Sequence, residues 1–164
     1  MANEKAIRRW SELKGMKVAI PSQRRNVGEV EDFYFQPGTN SIYALSVRTR
    51  LSGILALPAR SIEEITSDAV VIKNEEMLSK RIPPFPLGMA LISAQVKGED
   101  DKNAGIVADV LISVIPIVAL HVAGYEVADA SGKRSNRRKI LDADAVTHYG
   151  EGSMVIDKQT VRRL

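Results

Sequence analysis

Asn26-Val27-Gly28-Glu29-Val30-Glu31-Asp32-Phe33 returns later in the chain as Ala104-Gly105-Ile106-Val107-Ala108-Asp109-Val110. The frame is glycine, any residue, valine, any residue, aspartate and an apolar residue, and it occurs twice whole. Glycine permits a backbone bend, the valine and the apolar residue supply bulk to a β core, and aspartate is suited to hydrogen-bonding a neighbouring turn. One folding unit used twice is the reading that follows.

The 164 residues then divide into two units of roughly 75–80 residues each, a size at which a core is thin without supplement. The chain has no cysteine, so neither disulfides nor thiolate metal sites supply that supplement, and thiol catalysis is excluded. Packing of one unit on the other, or on a second chain, is expected to replace it. A formal charge of +3 is a mild basic excess that permits an anionic partner. The amino terminus has charges but no apolar stretch behind them, and the most apolar window, Val110 to Ala123, is broken by Pro116 and His121. It falls short of the ~20 residues of a spanning helix. The expected location is cytoplasmic, with peripheral attachment at a membrane as a further option.

Outward from the frame, residues Asn3 to Gly15 read as a short amphipathic lead-in in which a helix would place Ile7, Trp10 and Leu13 on one side, with Trp10 as core anchor. Met16 to Ile20 reads as a strand and Pro21 to Asn26 as a polar turn. Gln36-Pro37-Gly38-Thr39-Asn40 closes a hairpin. Beyond it Tyr43, Leu45 and Val47 alternate with Ala44, Ser46 and Arg48 as a strand with one buried face. Gly53 to Leu57 is a further strand, Pro58 to Glu64 one helical turn, and Ala69 to Ile72 the closing strand. Pro83-Pro84-Phe85-Pro86 is a stiff extended connector. The expected division is therefore 1–80, a connector at 81–86, and 87–164, with Met89 to Val96 opening the second unit as a strand.

Ala44-Leu45-x-Val47 has a match in Ala119-Leu120-x-Val122, and Val71-Ile72 one in Val155-Ile156. On that alignment the second hairpin is two residues shorter than the first, with an apolar tip. Nine residues are inserted between Val122 and Leu141, among them the basic run Gly132 to Lys139.

With two copies of this strand order, the chain resembles the PRC-barrel family, on Leu13-Lys14-Gly15, Gly28-Glu29-Val30-Glu31-Asp32, Ala44-Leu45-x-Val47 and Leu57-Pro58. The resemblance covers about Leu13 to Asp157 and is more complete in the first copy. It implies an all-β chain of two tandem small PRC-type β-barrels with short helical turns, a fold that binds macromolecules rather than performing chemistry. The family includes the cytoplasmic domain of the photosynthetic reaction centre H subunit and the carboxy-terminal domain of the RimM ribosome-maturation factors. This chain lacks the membrane helix of the former, and has another barrel where the latter have a different amino-terminal domain.

Two surface features stand out. Val114, Ile115, Pro116 and Ile117 form a tip too apolar to face water, so it is the candidate interface, covered by the first unit, by a second copy in a homodimer or by a foreign partner. Lys133, Arg134, Arg137, Arg138 and Lys139 are the candidate anion contact, for RNA phosphates or anionic lipid, with Arg24, Arg25, Arg48 and Arg50 as an extension of the basic surface. The bland reading is a solvated loop, and no aromatic lies among the five charges to stack bases. Asp32 and Asp109 read as scaffold rather than paired catalytic carboxylates. His148 near Asp142 and Asp144 lacks the further ligand that would define a metal site, and Asp142 reads instead as the cap of a helical turn. No nucleophile or phosphate-loop motif is present. The expected function is a non-enzymatic adapter without cofactor or small-molecule substrate, with an RNA- or ribosome-associated factor acting through 132–139 as the alternative.

Overall fold

A computed structural model describes residues 6–129 and 138–164. The chain is mainly β: β1 (Ile7–Arg9), β2 (Lys17–Ile20), β3 (Arg25–Gln36), β4 (Ser41–Thr49), β5 (Ile54–Pro58), β6 (Glu64–Ile65) and β7 (Ala69–Val71) make the first half. β8 (Gln95–Gly98), β9 (Asn103–Ser113), β10 (His121–Ala128), β11 (Lys139–Asp142), β12 (Val146–Gly150) and β13 (Ser153–Ile156) make the second. Two short helices, α1 (Trp10–Leu13) and α2 (Lys158–Arg163), complete it.

The halves pair by one scheme. β2 pairs with β3, β3 with β4 and β4 with β5, all antiparallel, and β7 returns parallel to β2 after pairing with β6. β8, β9, β10, β11, β12 and β13 repeat every one of these pairings, including the parallel return of β13 to β8. His121 pairs with Ser41 and joins β10 to β4, so hydrogen bonding runs on between halves as an open path from β12 to β6 rather than a closed barrel.

Register fixes which residues correspond. Phe33 pairs with Leu45 and Val110 with Tyr125, spans of 12 and 15 residues, so the second hairpin is three residues longer and not two shorter. Leu45 pairs with Leu57 and Tyr125 with Leu141, spans of 12 and 16, so the insertion holds four residues and not nine. Ala44-Leu45-Ser46-Val47 therefore corresponds to Gly124-Tyr125-Glu126-Val127, and the likeness of Ala119 to Val122 is coincidental. The frame glycines agree with this assignment. A Cβ on Gly28 would lie 2.5 Å from the Arg48 carbonyl and 2.8 Å from the Val47 side chain, and one on Gly105 2.6 Å from the Ala128 carbonyl and 2.5 Å from the Val127 side chain. Close backbone approach, and at Gly105 a φ of +143°, requires glycine at both.

Three local expectations are corrected. Residues 7–9 are a strand rather than helix, because β1 leaves its own half to pair with Leu111 to Ser113 of β9; only Trp10 to Leu13 are helical. Met89 is not in a strand: Gly88–Ala90 is a 3-10 turn, and β8 starts at Gln95. In β4 the buried residues are Ile42, Ala44, Leu45, Ser46 and Val47, with Tyr43 exposed, because a bulge at Tyr34/Phe35 shifts the register and the outer face is covered as well. That cover is the proline connector, whose Phe85 packs on Tyr34, Ala44 and Ala56.

The main core is continuous across both halves. Trp10, Phe33, Phe35 and Leu57 from the first join Val110, Tyr125, Leu141 and Met154 from the second in one buried cluster. Trp10 is the anchor expected of it, edge-on to Phe33 with ring centroids 4.9 Å apart. Two thin cores thus pool their apolar area, which answers the size problem of units this small.

Candidate interaction surface

The frame aspartates act between halves. Asp32 accepts from its neighbour Phe33 N–H at 2.8 Å and from Met89 N–H at 3.1 Å, in the turn that opens the second half. Asp109 accepts from Val110 N–H at 2.8 Å, from Ser11 N–H at 3.2 Å and from the Ser11 hydroxyl at 2.5 Å, in the turn that opens the first. Each aspartate therefore ties down the entry of the opposite half. Burial raises the Asp32 carboxyl above its ordinary value, against the lowering pull of the Phe33 and Met89 N–H groups.

The hairpin tips cross in the same reciprocal way. Asn40, at the first tip, donates from its side-chain amide to Asp144 at 3.4 Å and accepts from the Tyr149 hydroxyl at 3.3 Å, which in turn meets the Tyr125 hydroxyl at 2.9 Å. Burial pushes both tyrosine hydroxyls upward, so they stay protonated. The second tip, 114–120, is bound to the first half where Ile42 N–H donates to Leu120 O and Val122 N–H to Asn40 O. Of the candidate interface residues, Val114 is buried, Ile117 half-buried, Ile115 43% exposed and Pro116 exposed. The neighbouring Val118, at 90%, is the most exposed apolar residue of this tip and was absent from the sequence-based set. Its apolar neighbours could have signalled it.

Of the candidate anion contacts, Lys133, Arg134 and Arg137 lie outside the described residues. Arg138 is committed in part to Glu126, at 3.1 Å, and Lys139 is exposed on β11. Glu126 also takes a hydrogen bond from Arg9. Burial alone would raise the Glu126 carboxyl, but the hydrogen bonds and charges of Arg9 and Arg138 outweigh it and hold it below the ordinary value. At the other end of the molecule, Arg25 pairs with Glu75 and Arg48 with Glu31, while Arg24 and Arg50 are exposed. Lys17, Asn26, Arg48 and Arg50 line a shallow groove there.

Asp142 accepts from Asp144 N–H at 2.8 Å and caps the 3-10 turn Ala143–Ala145, the role expected of it, and His148 is exposed. Among the described residues no group of three or more metal-capable side chains converges, and no helix is long and apolar enough to cross a membrane.

The first half thus carries α1, the glycine-to-aspartate frame of β3, its β4 hairpin, and a parallel return of β7 to β2. Residues 6–78 match the PRC-barrel domain. No curated protein matches the chain. The PRC-barrel segment ends at residue 78, before the connector, so it contains Asp32 but not the Met89 N–H that donates to Asp32.

Proposed function

We propose that the chain is a non-enzymatic adapter built of two PRC-type units in tandem, the second divergent, whose joined frame presents loop and edge surfaces to another macromolecule. The observation that carries this reading is the reciprocal exchange of Asp32 and Asp109. The polar residues that recur most conspicuously in the sequence are spent on holding the halves together. What is left facing solvent at the tip is apolar, Ile115 and Val118, and apolar surface on a rigid support suits protein contact.

The test is capture of partners from native lysate by the full chain, with and without nuclease, beside the Ile115→Asp/Val118→Asp double variant. A nuclease-resistant protein partner, lost in the double variant at unchanged melting temperature, is the expected result. Capture abolished by nuclease would overturn it in favour of RNA binding through 132–139. Capture of no partner by the wild-type chain would overturn it outright.

A further inference from the structure

The halves differ at one corresponding edge. In the first half β5 is covered on its outer side: Ala56 N–H donates to Ser79 O at 2.8 Å, and Ser79 N–H donates back to Ala56 O at 2.7 Å. The chain then crosses the outer face of the sheet, placing Phe85 beside Tyr43 with rings tilted and centroids 5.1 Å apart, and rejoins β3 where Leu87 pairs with Tyr34. An extended segment with prolines and one aromatic residue thus fills this face, and Ala56 is only 4% exposed.

By register Ile140 of β11 corresponds to Ala56, since Ile140 pairs with Glu126 as Ala56 pairs with Ser46. Ile140 is 72% exposed, and among the described residues β11 pairs with β10 alone. Beside it runs a groove between β11 and α2, lined by Arg138, Lys139, Ile140, Ala145, Thr160 and Arg163. Three of its eight lining residues are cationic, against one acidic side chain, Asp142. The corresponding register places Arg9 at Leu87, because Arg9 pairs with Leu111 as Leu87 pairs with Tyr34. Phe85 then aligns with Ile7, so the aromatic anchor that seats the connector has no counterpart among the described residues at the second edge.

We propose that the outer edge of β11, unpaired among the described residues, and this groove accept an extended acidic segment of another protein, added antiparallel as a further strand with an apolar side chain over Ile140. This rests on the adapter reading and names its partner class. Backbone pairing at Ile140 supplies the register, and Lys139 and Arg163 select carboxylates. The mode is the one the connector already uses on the first half.

The probe is a fluorescein-labelled peptide with the sequence of Leu78 to Leu87 in which the positions of Lys80 and Arg81 carry glutamate, titrated onto the full chain. Saturable binding is expected, weakening several-fold as salt rises, and stronger than that of the unsubstituted basic peptide. Ile140→Pro removes the outward N–H without touching the β10 ladder, and is expected to weaken binding at least about fivefold, the worth of one backbone hydrogen bond. If that variant unfolds, Lys139→Glu/Arg163→Glu serves instead and should erase the preference for the acidic peptide. Amide shifts in labelled protein should centre on β11. Equal binding of both peptides, undiminished binding by the variants, or shifts centred elsewhere would overturn the proposal. So would a dimer in sedimentation that Ile140→Pro makes monomeric, which identifies a second copy as the occupant. Failure here with lysate capture intact removes only this site, whereas loss of capture by the wild-type chain removes the adapter reading itself.

Discussion

Ser11 and Asp109 lie 98 positions apart in the chain, yet the Ser11 amide and hydroxyl both donate to the Asp109 carboxylate. At the corresponding place Met89 has only its amide to give to Asp32, and among the described residues Asp32 Oδ2 is buried without a hydrogen-bond partner. The second entry turn therefore gives its aspartate one hydrogen bond fewer than the first, with the Gly88 N–H adding a further pull on the carboxyl.

Met89→Ser should supply that donor. Met89 is exposed, so little apolar burial is lost, and a gain of about 1 kcal/mol is expected from one satisfied buried acceptor. In a chain of this size that raises the melting temperature by roughly 2–4 °C. Calorimetry showing no change or a loss would mean that the serine hydroxyl does not reach Oδ2.

The pH dependence of Asp32 follows from its burial. A carboxyl raised in the folded state contributes stability that is full below its ordinary value, about 3.9, and is lost as pH rises through the folded value. Going upward from pH 4, wild type should lose more stability than Asp32→Asn, as read from urea midpoints at each pH. Parallel curves for the two proteins would exclude this.

Glu126 has the opposite sign. Burial would raise it, but Arg9 and Arg138 hold it low, so its stability is full above the ordinary glutamate value and is lost as pH falls through the folded one. Glu126→Gln is expected to cost about 1.5–3 kcal/mol at neutral pH, the worth of hydrogen bonds to a charged group, and to flatten the acid limb of the stability curve. An unaltered acid limb would show that the two arginines contribute nothing there.

Gly88 and Phe33 should behave as a coupled pair. A Cβ on Gly88 would fall 2.2 Å from the Phe33 ring, so Gly88→Ala should cost about 1–3 kcal/mol by overpacking. Val110 stands where Phe33 does in the other half, and Phe33→Val opens the needed space. The double variant should therefore be less destabilised than the two single effects added together, which a double-mutant cycle in urea measures. Strict additivity would refute the contact.

At the second tip, Val114 is buried and its neighbour Ile115 is half open to solvent. Val114→Asp places a charge in the common core and should cost more than about 4 kcal/mol, while Ile115→Asp should change stability by no more than about 0.5 kcal/mol. Thermal melts of the two variants decide it. A large loss from Ile115→Asp would mean that this side chain supports the fold rather than facing a partner.

Much of the architecture was written locally. Gly28 with Gly105, the flanking valines and the aspartates marked a duplicated β unit, because strand alternation and glycine at a close backbone approach leave traces within a few residues. The Asp142 cap and the anchoring role of Trp10 were legible for the same reason. Register was not. The chance likeness of Ala119-Leu120 to Ala44-Leu45 pointed to a short hairpin, and only the pairing of Val110 with Tyr125 showed a long one, since bulges shift partners without changing composition. Nor could spacing show that β1 crosses to β9, that Pro83 to Phe85 lie on the outer face of the sheet, or that Ile140 is left open where Ala56 is covered. The amino-acid order by itself determined most of the strands of the first half and that strands come in two sets. Tertiary structure alone decided which set each entry turn, tip and connector would serve, because a strand edge or a carboxylate accepts any donor that packing brings to it, whatever its distance along the chain.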